Sequence, residues 1–99
     1  MYVTFDRAEI DRIALNYNSA SSAVVREKLL QKTFSLYQPL IFKYIARYRS
    51  ISCILGPDDI EMLVKEGIWL GLSKYTPGRS AVSFILYSIK EVLNKELQI

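Results

Sequence analysis

The chain has 99 residues, a net charge of +3 and 51% hydrophobic residues. That is one domain's worth of sequence, with enough apolar content to fill a single core and leave some surface for a partner. It contains no histidine and a single cysteine, Cys53, which excludes His-based nucleophile relays, Cys/His metal sites and an internal disulfide.

Apolar residues recur at helical spacing almost throughout, and only 3 Pro and 4 Gly punctuate the chain. Asp6-Arg7-Ala8-Glu9 has the acid-x-x-Glu form of a helix start. It predicts a first helix over about 6–17, with Ile10, Ile13, Ala14 and Tyr17 as its apolar stripe. Asn18-Ser19-Ala20-Ser21-Ser22 is turn and cap chemistry. A second helix follows to about Ser35, with Val24, Val25, Leu29, Leu30 and Phe34 spaced for one face. Pro39 falls in the first turn of a third helix, about 38–50, which would bury Leu40, Ile41, Tyr44, Ile45 and Tyr48. Arg47 and Arg49 stand at its carboxyl end, where cations favour the helix dipole.

Gly56-Pro57-Asp58-Asp59 breaks the chain and opens a fourth helix over 58–75, and Thr76-Pro77-Gly78-Arg79 stops it. Ile60, Leu63, Val64, Gly67, Leu70 and Gly71 form its expected core face; Met62, Lys65, Glu66 and Trp69 share the neighbouring one. Ser80 caps a fifth helix to about Leu97, with Phe84, Tyr87, Ile89, Val92 and Leu93 apolar. The expected fold is all-α, a compact bundle of about five helices in a single domain, 1–99.

Charge is unevenly spread. Residues 28–50 carry Lys28, Lys32, Lys43, Arg47 and Arg49 with no acid, whereas 57–75 are net acidic. A basic segment beside an acidic one suits a protein that meets nucleic acid on one side and protein on the other, although solvated helix faces give the same pattern. No phosphate-cradling Gly-x-x-x-x-Gly-Lys loop occurs. Asp58, Asp59 and Glu61 are explained by their place at a helix start, so no catalytic residue, metal site or cofactor is expected. No apolar run approaches the roughly 20 residues that cross a bilayer. The start, Met1-Tyr2-Val3-Thr4-Phe5-Asp6, lacks the basic-then-apolar order of a signal peptide. Cys53, among Ile51, Ile54 and Leu55, reads as a buried thiol. A cytoplasmic protein without membrane contact is expected.

The wording of the fourth helix resembles the polymerase-binding helix of bacterial RNA polymerase sigma factors, D-L-E-D-L-V-Q-E-G followed by an aromatic-Asp/Thr-Pro turn. Asp59, Ile60, Glu61, Leu63, Val64, Glu66 and Gly67 match it, and Tyr75-Thr76-Pro77 supplies the turn. Met62 and Lys65 depart, standing where the family usually has Asp and Gln. Phe34 to Ile41 and Ile45 to Tyr48 resemble the family's y-x-P-L-I/V and I-A-x-R/K-Y strings. Residues 10–25 are similar to the preceding helix pair, and Phe84-x-x-Tyr87 to F-S-T-Y. The resemblance, to region 2 of the family, covers roughly residues 10–95.

It implies a partner face at Glu61, Met62, Lys65, Glu66 and Trp69 for the largest subunit of RNA polymerase core. It also implies DNA contacts at Arg47, Arg49, Lys74, Arg79, Phe84, Tyr87, Lys90 and Asn94. Phe84 and Tyr87 read equally as core aromatics, the cations as scattered surface charge, and Trp69 as core or interface. Between Gly67 and Tyr75 the chain is about three residues shorter than most family members. The family's tryptophan pair, which wedges promoter DNA open, then falls at Lys90 and Glu91, which offer no flat apolar surface for stacking. No helix-turn-helix follows Asn94, so an orphan or split-sigma type is expected, working with a second DNA-reading protein. The rival expectation is an interaction module that sequesters another transcription protein, or dimerises through Met62, Ile68 and Trp69. A DNA-binding regulator independent of polymerase ranks lowest.

Overall fold

Each expected helix forms, with ends fixed by the residues the sequence supplies for them. The computed structural model describes residues 5–49 and 56–97, and its helices are α1 Arg7–Ser19, α2 Ala23–Leu36, α3 Gln38–Arg49, α4 Pro57–Ser73 and α5 Ala81–Leu97. Asp6 accepts the Glu9 amide at 3.1 Å and Ser22 the Val25 amide at 3.4 Å. Asp59 reaches back to the Gly56 amide at 3.0 Å, and Ser80 accepts the Ser83 amide at 3.4 Å. Side-chain caps of this kind are worth about 1 kcal/mol each. The fold is all-α; among the described residues there is no strand, and no helix is long and apolar enough to cross a membrane. Cys53 lies outside the described residues.

Helix α4 is the hub, touching each of the other four helices. Its Ile60, Val64, Ile68 and Leu72 are fully buried, among Ile10 and Ala14 of α1, Ile41 and Tyr44 of α3, and Ile85, Ile89 and Leu93 of α5. Burying an aliphatic side chain of this size contributes roughly 1.5–3 kcal/mol. Helix α5 approaches on the glycine side: a Cβ on Gly67 would lie 2.6 Å from the Cα of Ile89, and one on Gly71 would lie 2.8 Å from the Cα of Ile85. The α4–α5 turn contains Gly78 at φ +94°, a backbone conformation that suits glycine. Tyr75 locks this turn, donating its hydroxyl to the Arg79 carbonyl at 2.9 Å and meeting Phe84 edge-on.

Helix α1 ties the other side together. Asn18 Nδ2 donates to the carbonyls of Ala14 and Leu72, both at 2.8 Å, and Asp11 accepts the Ala81 amide at 2.8 Å, capping α5 from another helix. Glu9 and Lys32 form an ion pair at 2.9 Å between α1 and α2.

Three expectations about packing are corrected. On α4, Leu63 and Leu70 are only half-buried, while Ile68 and Leu72 are fully buried. The glycine stripe faces α5 alone, and the flank beyond it is covered as well, by α1 at the Leu72 carbonyl and by α2, whose Phe34 ring lies beneath Lys65. Ile68 therefore cannot serve as a dimer contact. On α2, Val24 and Val25 are exposed, Val24 at 65%, and Thr33 is its fully buried side chain. Residues 21–28 are all exposed, so only the second half of α2 has neighbours to pack on. Thr33 is tolerated inside because its hydroxyl donates to the Leu29 carbonyl at 2.8 Å. On α5, Ile85 takes the core place expected of Tyr87, which is 69% exposed.

Tyr37 is fully buried against Phe5, with ring centroids 4.6 Å apart, yet its hydroxyl has no hydrogen-bond partner among the described residues. An unsatisfied buried hydroxyl costs about 1–3 kcal/mol. Tyr37→Phe is therefore expected to stabilise the fold by roughly 1 kcal/mol, read as a higher urea midpoint at neutral pH. Burial also pushes the Tyr37 phenol well above its ordinary range. A raised folded-state pKa gives stability that is present below the unfolded pKa near 10 and lost as pH rises past it. The advantage of the Phe variant should thus widen at about pH 10.5. An unchanged or lower midpoint for the variant at both pH values would show that the hydroxyl is satisfied.

Candidate functional site

Residues spaced three and four apart on α4 lie on one side of the helix, and the side left uncovered carries Met62, Glu66, Trp69 and Ser73. Met62 is 69% exposed and Trp69 45%, with the Glu66 carboxylate between them. A methionine and a tryptophan in water on a rigid central helix are side chains that interfaces favour, because each buries a large area at modest entropic cost.

Glu61 and Lys65, expected on the same face, turn to its flank. Lys65 Nζ sits 3.4 Å from Glu61 Oε2 and 5.3 Å from the centre of the Phe34 ring, and both residues are half-buried. The neighbour that draws Lys65 aside is α2. The partner set thus divides into an outward trio, Met62, Glu66 and Trp69, and a lateral ion pair.

Beside the trio runs a groove of about 590 Å³ between α4 and α5. It follows from the glycine contacts: the two backbones meet closely along one line, and the larger side chains flanking that line leave a channel on the outer side. Leu70, half-buried Phe84 and Val92 supply its apolar lining, with Ser83 and Ser88 among them. Lys74 and Arg79 stand at the end next to the turn, and Tyr87 and Glu91 on the α5 wall. Glu66 lines the groove and also belongs to the outward trio, so it joins the two surfaces. Ser88 donates its hydroxyl to the Phe84 carbonyl at 3.1 Å. The site offers a flat apolar lining, two cations at one end and carboxylates further along. It can hold a planar or apolar group with an anionic end.

Of the residues expected to meet DNA, Lys74, Arg79, Phe84 and Tyr87 converge on this groove. Lys90 and Asn94 are exposed on α5 but do not line it. Arg47 lies on α3, whose backbone does not approach α5 closely among the described residues, and its guanidinium is 5.6 Å from the Tyr48 ring centre. The Arg49 side chain lies outside the described residues. Ser83, Ser88 and Lys95 line the groove and were not singled out from the sequence, and Leu70 and Val92, read there only as apolar positions, line it too. The signal for the α5 members was present: Ser80, Phe84, Ser88, Glu91 and Lys95 recur every three or four residues. Comparisons with protein-family models, curated proteins and solved structures find no match to this chain.

Proposed function

We propose that this chain is a sigma region 2-like transcription initiation factor or co-sigma subunit, without catalysis of its own, working in the cytoplasm. It binds the largest subunit of RNA polymerase core through α4 and acts with a second DNA-reading protein. The observation that carries the reading is the outward trio of Met62, Glu66 and Trp69 on the helix with the sigma-like wording. A carboxylate held on a rigid helix can accept a bidentate arginine and so fix register at an interface.

One observation favours a second reading. Met62 and Trp69 make the exposed face more apolar than the family's wording, which suits a module that binds or sequesters another transcription protein. Affinity purification from the native host separates the two: polymerase subunits on the bait support the first, and one other protein without polymerase supports the second.

Polymerase core plus this 99-residue chain alone should give little promoter-specific transcript. Accurately started, strong transcription from that minimal mixture would contradict the need for a second subunit. The isolated chain should bind single-stranded promoter DNA weakly, because Lys90 and Glu91 replace a stacking pair. The binding should be mainly electrostatic, carried by Lys74, Arg79, Lys90 and the cations of α3, and should fall steeply with salt. Fluorescence anisotropy at two salt concentrations checks this; tight, salt-resistant binding that collapses in Tyr87→Ala would instead assign base capture to the groove.

A further inference from the structure

We infer that α3 carries a second nucleic-acid surface, separate from the α4–α5 groove, on which a single-stranded base stacks against Phe42 beside Lys43 and Arg47. Phe42 is 61% exposed on a helix that buries Leu40, Ile41, Tyr44 and Tyr48 on its other side. Pro39, Lys43, Ala46 and Arg47 share its outward arc. At 61% exposure, part of the Phe42 ring is open to a flat partner. Lys43 is the next residue to Phe42 and is exposed, with Arg47 one turn beyond Lys43 on the same side. A base on the ring thus has Lys43 as the nearest cation for its phosphate.

Charge identifies the occupant. No acid occurs between Lys28 and Tyr48, and Lys43 makes no ion pair among the described residues. The arc is therefore cationic with one aromatic, the pairing that sequence-tolerant single-strand binders use. An anionic membrane fits less well, because one ring flanked by a proline and an alanine gives no apolar wedge wide enough to insert.

The test uses the intact chain and a fluorescein-labelled oligothymidylate of about 20 nucleotides, several times longer than one stacking site requires. Phe42→Ala should weaken binding about tenfold, Phe42→Trp should retain or tighten it, and Lys43→Glu should weaken it and flatten the salt dependence. Circular dichroism establishes that the three variants fold, as expected for exposed positions. Because the backbones of α3 and α5 do not approach closely among the described residues, the Phe42→Ala loss should persist undiminished in a Tyr87→Ala background. Wild-type affinity in Phe42→Ala overturns the proposal. So does a loss seen only on phosphatidylglycerol vesicles and not on the oligonucleotide, which assigns the face to a membrane.

Discussion

Gly67→Ala is expected to cost at least about 3 kcal/mol and to leave little folded protein, because the added methyl meets backbone rather than a movable side chain. Its Cβ would lie 2.6 Å from the Cα of Ile89 and 2.9 Å from its Cγ1. No rotamer change relieves a clash with a Cα, so α4 and α5 must separate along the line where they are closest. Those two helices share the most extensive contact in the fold, and separating them loosens Ile68, Leu72, Ile85 and Ile89 together. The sign distinguishes this from a propensity effect, since alanine in an unhindered helix is better than glycine by about 1 kcal/mol. Gly71→Ala should behave similarly, its Cβ meeting the Cα of Ile85 at 2.8 Å. Ser73→Ala, exposed on the same helix, should stay within about 0.5 kcal/mol of the parent. Urea titration followed by circular dichroism measures all three; a raised midpoint for Gly67→Ala would mean that the helices are not in that close contact.

Helix number, order and ends were legible because the residues that set them act locally. Asp6, Ser22, Asp59 and Ser80 cap the amides next to them, and Pro77 and Gly78 sit in the turn where helix α4 has already stopped. Packing direction was less legible, because periodicity gives the apolar side of a helix without saying how many neighbours cover it. Helix α4 is covered on two flanks, so its buried arc reaches past the glycines to Ile68 and Leu72. The first half of α2 is covered on none, so Val24 and Val25 face water despite their spacing. The same limit applies to the candidate site. Met62, Glu66 and Trp69 could be read as one face from spacing alone, but the departure of Lys65 toward Phe34 depends on where α2 lies. The groove was readable only in part: Phe84 and Tyr87 were named, whereas Leu70, Ser83 and Ser88 acquire meaning once the Gly67 and Gly71 contacts set the distance between two helices.

Glu66→Arg is expected to reduce capture of the polymerase largest subunit by about two orders of magnitude or more while leaving the fold intact. Glu66 is exposed, so the substitution touches no part of the buried core and circular dichroism should be unchanged. At an interface the same carboxylate is desolvated against its partner, and losing one member of a buried charge pair costs roughly 2–5 kcal/mol. Reversal adds repulsion against whatever cation Glu66 meets. Two controls locate the effect. Lys90→Glu, an exposed residue of α5 outside the groove lining, should capture polymerase as the parent does. Trp69→Ala should weaken capture too, because it removes the largest apolar side chain beside Glu66 on the exposed arc, and tryptophan is enriched among residues that dominate interface energy. Quantitative pull-down with purified polymerase core checks the three variants side by side. Undiminished capture by folded Glu66→Arg would remove polymerase from this face. If Glu66→Arg and Trp69→Ala both release a different protein from the host bait, the outward trio of α4 belongs to a sequestering module rather than to a polymerase-binding one.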